Sequence, residues 1–272
     1  MVWAKPPAGA KPNMSHPHAR GLRHCFLFNE RTGRMLTDCV GGLQATFNGS
    51  PVWSSRLFGG SLTFDGSSDC SLVGGKGVFG RPSGSEGPYT VIAGIMQTGS
   101  QSGFQTIWAN GNEGLYINNG RQIYCNAGTS IELLTTNRPY ILSTSTPGSN
   151  ATNLAGGEFE YVINGRMDFA LNYQALPVMT GATIGGHGSE RFIGEIAFIY
   201  VYDRFIPHGS LTGGRFDSGP IGAGGSMAAI HMDPFAMFYA VPRRAAFGAA
   251  THVAGSGGGG TGTGFNALLI AP

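Results

Sequence analysis

The sequence predicts an all-β protein, a two-sheet antiparallel sandwich of the jelly-roll type with an extended N-terminal arm and a glycine-rich C-terminal tail. Three observations predict it. Glycine supplies 46 of the 272 residues, well above the roughly 7% of ordinary proteins. Aromatic residues reach 11% while charged residues fall to 12%, so bulky side chains are available to fill a core and the chain does not read as disordered. Short apolar runs are separated by Gly, Asn, Asp or Pro, and helix signals are nearly absent.

The arm comes first. Residues 1–20 are rich in Pro, Ala and His and read as extended. Residues 21–206 form the sandwich, with candidate strands at His24–Asn29, Gln44–Asn48, Ser61–Asp65, Tyr89–Met96, Thr106–Asn110, Gly114–Asn118, Gln122–Asn126, Tyr140–Thr144, Phe159–Ile163, Gly181–Ile184 and Phe192–Tyr202. "YINNGRQIYC" and "YVINGRMDFA" read as hairpins, with Asn119-Gly120 and Asn164-Gly165 supplying positive-φ turns.

The strand Phe192–Tyr202 does not alternate between apolar and polar. Strict alternation puts Phe192, Gly194, Ile196, Phe198, Tyr200 and Tyr202 on one face, and Ile193, Glu195, Ala197, Ile199 and Val201 on the other. Such a strand is central and covered on both sides. Its outer face, with Ile193, Ala197, Ile199 and Val201, therefore needs a cover. Residues 207–240 contain a glycine-rich excursion and then "MAAIHMDPFAMFY", whose Met227, Ile230, Phe235, Met237 and Phe238 have the composition for it. A short helix, Met227 to His231, ends at Asp233-Pro234. The cover comes from this segment or from that of a neighbouring subunit. Residues 241–272 are a flexible glycine-rich tail with an apolar tip, Phe265, Leu268, Leu269 and Ile270, which should bury itself on a partner.

Several function classes are disfavoured. A net charge of +2 without a basic stripe is unlike the footprint of a nucleic-acid binder. No run of about 18 apolar residues spans a membrane. The N-terminal stretch has no apolar segment after its lysine, so no signal peptide is expected, and the sequons at Asn13, Asn48 and Asn150 carry no weight. Cys25, Cys39, Cys70 and Cys125 match no zinc or C-x-x-C spacing and read as buried free thiols.

Four segments resemble the concanavalin A-like, laminin-G-like jelly-roll domains: "GLRHCFLFNERTGRMLTDCVGG" at 21–42, "RLFGGSLTFDGSSDC" at 56–70, "YVINGR" at 161–166 and "FIGEIAFIYVYDRFI" at 192–206. The resemblance covers the sandwich and implies its fold, which hosts lectins, hydrolases and adhesion modules alike. The flanks "SHPHARGL" and "MDPFAMF" resemble those of a subgroup found in bacteriophage and environmental viral structural proteins. That resemblance implies a virion protein, assembled in the host cytoplasm. The glycine-rich insertion near 207–226 and the long tail depart from the subgroup.

Catalytic chemistry is weakly represented. Glycoside hydrolysis needs a pair of carboxylates. "GEFEYV" offers Glu158 and Glu160 on one face, but without a third acid and directly before a turn, so they read as solvent-facing. Glu195, on an apolar strand, reads as hydrogen-bonded rather than as a general base. "GGKG" lacks the spacing of a phosphate loop, and no G-x-S-x-G elbow is present. His16 and His18 belong to the arm, and His187 to a glycine turn. Asp65 and Asp69 in "FDGSSD" are weak calcium candidates, although an Asp before Gly more often closes a turn. Carbohydrate binding would need exposed aromatics. Trp53, Trp108 and Tyr116 are the candidates, each in a context that also suits the core.

The expected function is a non-catalytic virion structural protein without a cofactor, above all a capsid decoration or cementing protein. Its terminal arms would bind the major capsid protein or other virion proteins and neighbouring copies. The alternative is a lectin-like carbohydrate-binding module for host or surface attachment, or a tail or fibre component.

Overall fold

The computed structural model describes residues 5–72, 88–110, 113–125, 128–130, 132–146, 159–170, 182–206 and 227–239. The first strands are β1 (Leu22–Phe26), β2 (Met35–Thr37), β3 (Gln44–Asn48), β4 (Val52–Ser54), β5 (Ser61–Asp65) and β6 (Asp69–Leu72). The middle of the chain forms β7 (Tyr89–Gln97), β8 (Gln105–Asn110), β9 (Glu113–Ile117), β10 (Ile123–Cys125), β11 (Gly128–Thr129) and β12 (Pro139–Thr146). Then follow β13 (Phe159–Ile163), β14 (Arg166–Ala170), β15 (Ala182–Ile184), β16 (Gly186–His187), β17 (Glu190–Arg191), β18 (Ile193–Tyr202) and the helix α1 (Met227–Met232).

Two eight-stranded antiparallel sheets make the sandwich. The first runs β14-β13-β12-β7-β18-β5-β4, with β1 also paired to β18, and the second runs β11-β10-β9-β8-β15-β6-β3-β2. Between them lies one apolar layer. The first sheet contributes Val91, Ala93, Ile95, Leu142, Tyr161, Ile163, Ile196 and Ile199, and the second Ile107, Trp108, Leu115, Ile117, Ile123 and Ile184. This is the all-β, two-sheet antiparallel fold expected from the turn spacing.

The turn chemistry explains the connections. Asn164 (φ 49°) and Gly165 (φ 80°) turn β13 into β14, the two-residue positive-φ hairpin that Asn-Gly favours. The other expected hairpin forms, but its loop is longer. Asn118 through Gln122 separate β9 from β10, and Arg121, not Asn119, takes the positive φ of 63°. The Asn118 side chain closes this loop by accepting the Gln122 N–H at 3.0 Å.

β18 departs from strict alternation. Its pairing with β7 shifts register between Ile196 and Phe198, a bulge that inserts one residue and reverses which side chains face inward. Before the bulge Ile196 points to the inter-sheet core; after it, Ile199 and Val201 do. Ala197, Phe198, Tyr200 and Tyr202 face outward instead. The outer face expected from alternation, with Ile199 and Val201 on it, is therefore corrected.

That outer face carries a second apolar layer, in which Phe198, Tyr200, Tyr202, Ile92, Met96 and Ile141 meet Met227, Ile230, Phe235 and Met237. Phe235 packs edge-on against Phe198 with ring centroids 5.4 Å apart, and the Tyr200 hydroxyl donates to the Pro234 carbonyl at 3.0 Å. The arm joins the same layer through Ala19 and Leu22. Few apolar groups hold it; hydrogen bonds do the rest. The Asn29 side chain donates to the Pro6 carbonyl at 2.7 Å, and the Asn13 N–H donates to the Met237 carbonyl at 2.7 Å.

Candidate functional site

The outer face of the second sheet bears the site. Leu115, Ile117 and Ile123 point into the core, so the strand period sends Tyr116 and Tyr124 to the other side. The two tyrosines are directly opposed across β9 and β10, with ring centroids 6.3 Å apart in an edge-on arrangement. Phe104, just before β8, stacks on Tyr124 at 4.3 Å and an interplanar angle of 22°. A bulge in β8 between Thr106 and Trp108 turns both Ile107 and Trp108 into the core, while Thr106 stays opposite Tyr116.

A small hairpin forms the facing wall. β16 and β17 pair Gly186 with Arg191 and His187 with Glu190. Phe104, Tyr116 and Tyr124 on one side, and His187, Gly188, Ser189 and Glu190 on the other, line an open cleft of about 410 Å³. Partial burial raises the Glu190 carboxyl above the ordinary range, and His187 opposes that rise. Arg191 forms an ion pair with Asp69 at the base of the hairpin. Asp69 also accepts from the Asn48 side-chain amide at 2.6 Å. The cleft thus joins apolar ring faces to an acceptor carboxylate, an imidazole and an exposed hydroxyl, on strands rather than on a loose loop.

The structure separates the three sequence candidates for glycan contact. Tyr116 lines the cleft. Trp108 is 1% exposed and sits beside Phe26 at 6.3 Å in the inter-sheet core, so of its two readings, glycan contact or core, the structure has the core: the β8 bulge turns it inward. Trp53 lies apart from the cleft, tilted on Phe47 at 5.7 Å with its indole N–H donating to the Gly33 carbonyl at 3.0 Å. Sequence reasoning missed Phe104, Tyr124, Ser189 and Glu190, and assigned His187 only to its turn. The inward set Leu115, Ile117 and Ile123 was the available signal for Tyr124.

The remaining candidates have other partners. Asp65 accepts from the Ser67 N–H at 2.9 Å and the Ser68 N–H at 3.0 Å. These bonds pull its carboxyl down to about 2, as in a side-chain-closed turn. Asp69 is committed to Arg191 and Asn48, so each of the two candidate calcium carboxylates is engaged by protein partners. Among the described residues no group of three His, Cys, Asp or Glu side chains is placed to hold a metal ion. Glu195 is buried and accepts from the Ser61 hydroxyl at 2.7 Å. His16 Nδ1 accepts from the His18 N–H at 3.1 Å. Glu160 lies on β13, paired with Phe169; Glu158 falls outside the described residues, as do Phe265, Leu268, Leu269 and Ile270. Phe235 and Met237 are fully buried inside this chain and Phe238 is half-buried. The buried pair is therefore occupied within the chain and does not present an exposed contact surface.

No protein-family model matches the chain, and no curated protein is recognisably similar to it. Solved structures do share its fold. Domain 4 of the extracellular arabinanase AbnA from Geobacillus stearothermophilus, in complex with arabinotriose, is 15% identical over 69% of this chain and 94% of that one, with a TM-score of 0.50. Trypanosoma rangeli sialidase is 13% identical over 69% of this chain, with a TM-score of 0.49. The binding domain of botulinum neurotoxin DC, in complex with SialylT, is 12% identical over 70% of this chain and 49% of that one, with a TM-score of 0.48. The match spans only 31% of the sialidase chain.

Proposed function

We propose that the protein is a non-catalytic carbohydrate-binding domain whose ligand lies in the cleft between Tyr124 and Glu190. One observation carries this reading: the half-buried Phe104–Tyr124 stack opens into a cleft whose other wall is polar. A sugar ring has an apolar C–H face and a hydroxyl rim, and such a cleft offers ring surface to the first and hydrogen-bonding groups to the second. Binding without turnover is favoured because Glu190 is the single carboxylate among the described lining residues, whereas acid–base glycoside hydrolysis uses two. The arabinanase domain of like fold was solved with arabinotriose, which makes that sugar a sensible first probe. The test is calorimetric titration of the full chain against a neutral and acidic oligosaccharide panel, repeated with Tyr124→Ala. Saturable binding lost in the variant supports the reading; binding unaffected by the variant overturns the site.

A virion structural role, as a capsid decoration, tail or fibre component, is the second reading. It is supported by the two flanks that carry the viral resemblance lying in one apolar layer, Ala19 and Leu22 from the first with Phe235 and Met237 from the second. The two readings are compatible, since a particle-bound domain can present its cleft outward. Co-sedimentation of the full chain with purified particles tests this role, and chain left wholly in the supernatant would sink it.

A further inference from the structure

The charge pattern of the cleft narrows the ligand. No lysine or arginine is among its described lining residues, and Glu190 is its only acid. Arg191 follows immediately, but successive strand residues point to opposite sides, and Arg191 is held in the ion pair with Asp69. Asp69 is fixed in turn by the Asn48 amide at 2.6 Å, so this arginine is not free to swing into the cleft. His187 sits across the hairpin in register with Glu190. The two side chains interact, His187 opposing the rise of the Glu190 carboxyl.

We propose that the cleft selects neutral saccharides and rejects those ending in a carboxylate-bearing sugar such as a sialic or uronic acid. This rests on the carbohydrate-binding reading. The sugar's C–H face lies on the Phe104–Tyr124 stack, and its hydroxyls donate to the Glu190 carboxylate. An ionised carboxylate accepts hydrogen bonds only, and two neighbouring hydroxyls can fill its two oxygens. An acidic sugar in the same place sets two like charges near each other with no lysine or arginine among the described lining residues to answer them, so rejection comes from repulsion as well as from lost hydrogen bonds. Glu190 is half-buried, so this repulsion is less screened than it would be on an open surface.

The experiment uses neutral and acidic partners: lactose with sialyllactose, which adds one sialic acid residue, and galactotriose with trigalacturonic acid, which bears a carboxylate on each of its three residues. Each is titrated into the full chain and into Tyr124→Ala and Glu190→Gln at neutral pH. The neutral member of a pair should bind at least about ten-fold more tightly, the scale of one like-charge contact in partly aqueous surroundings. Tyr124→Ala should abolish that binding. Glu190→Gln should weaken the neutral sugar and shrink the gap within the pair. If the acidic member binds as tightly or more tightly, and still depends on Tyr124, the selection proposed here is wrong while the carbohydrate site stands. If neither member of any pair binds, or binding survives Tyr124→Ala, the carbohydrate reading falls and this inference falls with it.

Discussion

The Lys5 ammonium lies 2.6 Å from the carbonyl oxygen of Ala197, the residue at the bulge of β18. It also donates to Gly60 at 2.5 Å and, at 3.4 Å, to Phe28. One arm side chain thus satisfies backbone acceptors that the bulge and a neighbouring turn leave without ladder partners. The arm is therefore anchored by hydrogen bonding at a defect in the sheet in addition to the apolar contact of Ala19.

This anchor is pH-dependent. Burial pulls the Lys5 pKa down from 10.5 to about 7, so between those values the unfolded chain binds a proton that the folded chain does not. Stability should then rise with pH across this window and level off above it. The neutral amine keeps two donors, enough for Gly60 and Ala197. Lys5→Met should accordingly cost about 1–3 kcal/mol at pH 9 by leaving two carbonyls unpaired. It should cost less at pH 6, where the native protein already bears a buried charge. Urea unfolding at both pH values checks this; a larger loss at pH 6 than at pH 9 would refute it.

Gly94 makes room for the ring that the bulge turns outward. A Cβ at Gly94 would stand 2.3 Å from Phe198 Cε1, because the two residues are paired across β7 and β18. Gly94→Ala should lower stability by about 1–3 kcal/mol through overpacking. Adding Phe198→Leu should recover part of the loss in a double-mutant cycle. Strictly additive losses would show that the contact is not the cause.

The cover segment should behave as core. Phe235 has no exposed surface and meets Phe198, so Phe235→Ala should cost about 3–5 kcal/mol. Phe238 is only half-buried, and Phe238→Ala should cost about 1 kcal/mol. Thermal unfolding of the two variants at equal concentration gives the comparison. Equal melting temperatures for both and for the parent would mean that this face is not covered in solution.

Much of the fold was legible because turn chemistry and strand period are local. The Asn164-Gly165 hairpin and the limits of Gln44–Asn48, Ser61–Asp65 and Phe159–Ile163 follow from the sequence. What was not legible depends on pairing partners. The β18 and β8 bulges each reverse a face, and nothing in "GEIAFIYVY" or "QTIWAN" marks the inserted residue. The first reversal exchanged the outer residues of β18, and the second turned Trp108 to the same side as its neighbour Ile107, in the core. The cleft joins Phe104, the β9–β10 pair and the 186–191 hairpin, which meet only in the folded sheet. The Lys5 anchor was hidden for the same reason, since its acceptors are backbone atoms 23, 55 and 192 residues away.

Those reversals give the cleft a control that separates binding from folding. Tyr124 is half-buried and stacked on Phe104 at the surface, whereas Trp108 is wholly inside. Tyr124→Ala should reduce saccharide affinity at least ten-fold, about 1.4 kcal/mol, while changing stability by about 1 kcal/mol or less. Trp108→Ala should lower stability by about 3–5 kcal/mol, and molecules that remain folded should keep their affinity. The pH profile adds a second separation. Because partial burial raises the Glu190 carboxyl, acidification should protonate it at a higher pH than an ordinary glutamate, removing an acceptor and weakening binding. Titrations from pH 7 down to pH 4 should show that loss in the parent and not in Glu190→Gln, whose residual binding should stay flat; an equal loss in the variant would refute the role of Glu190.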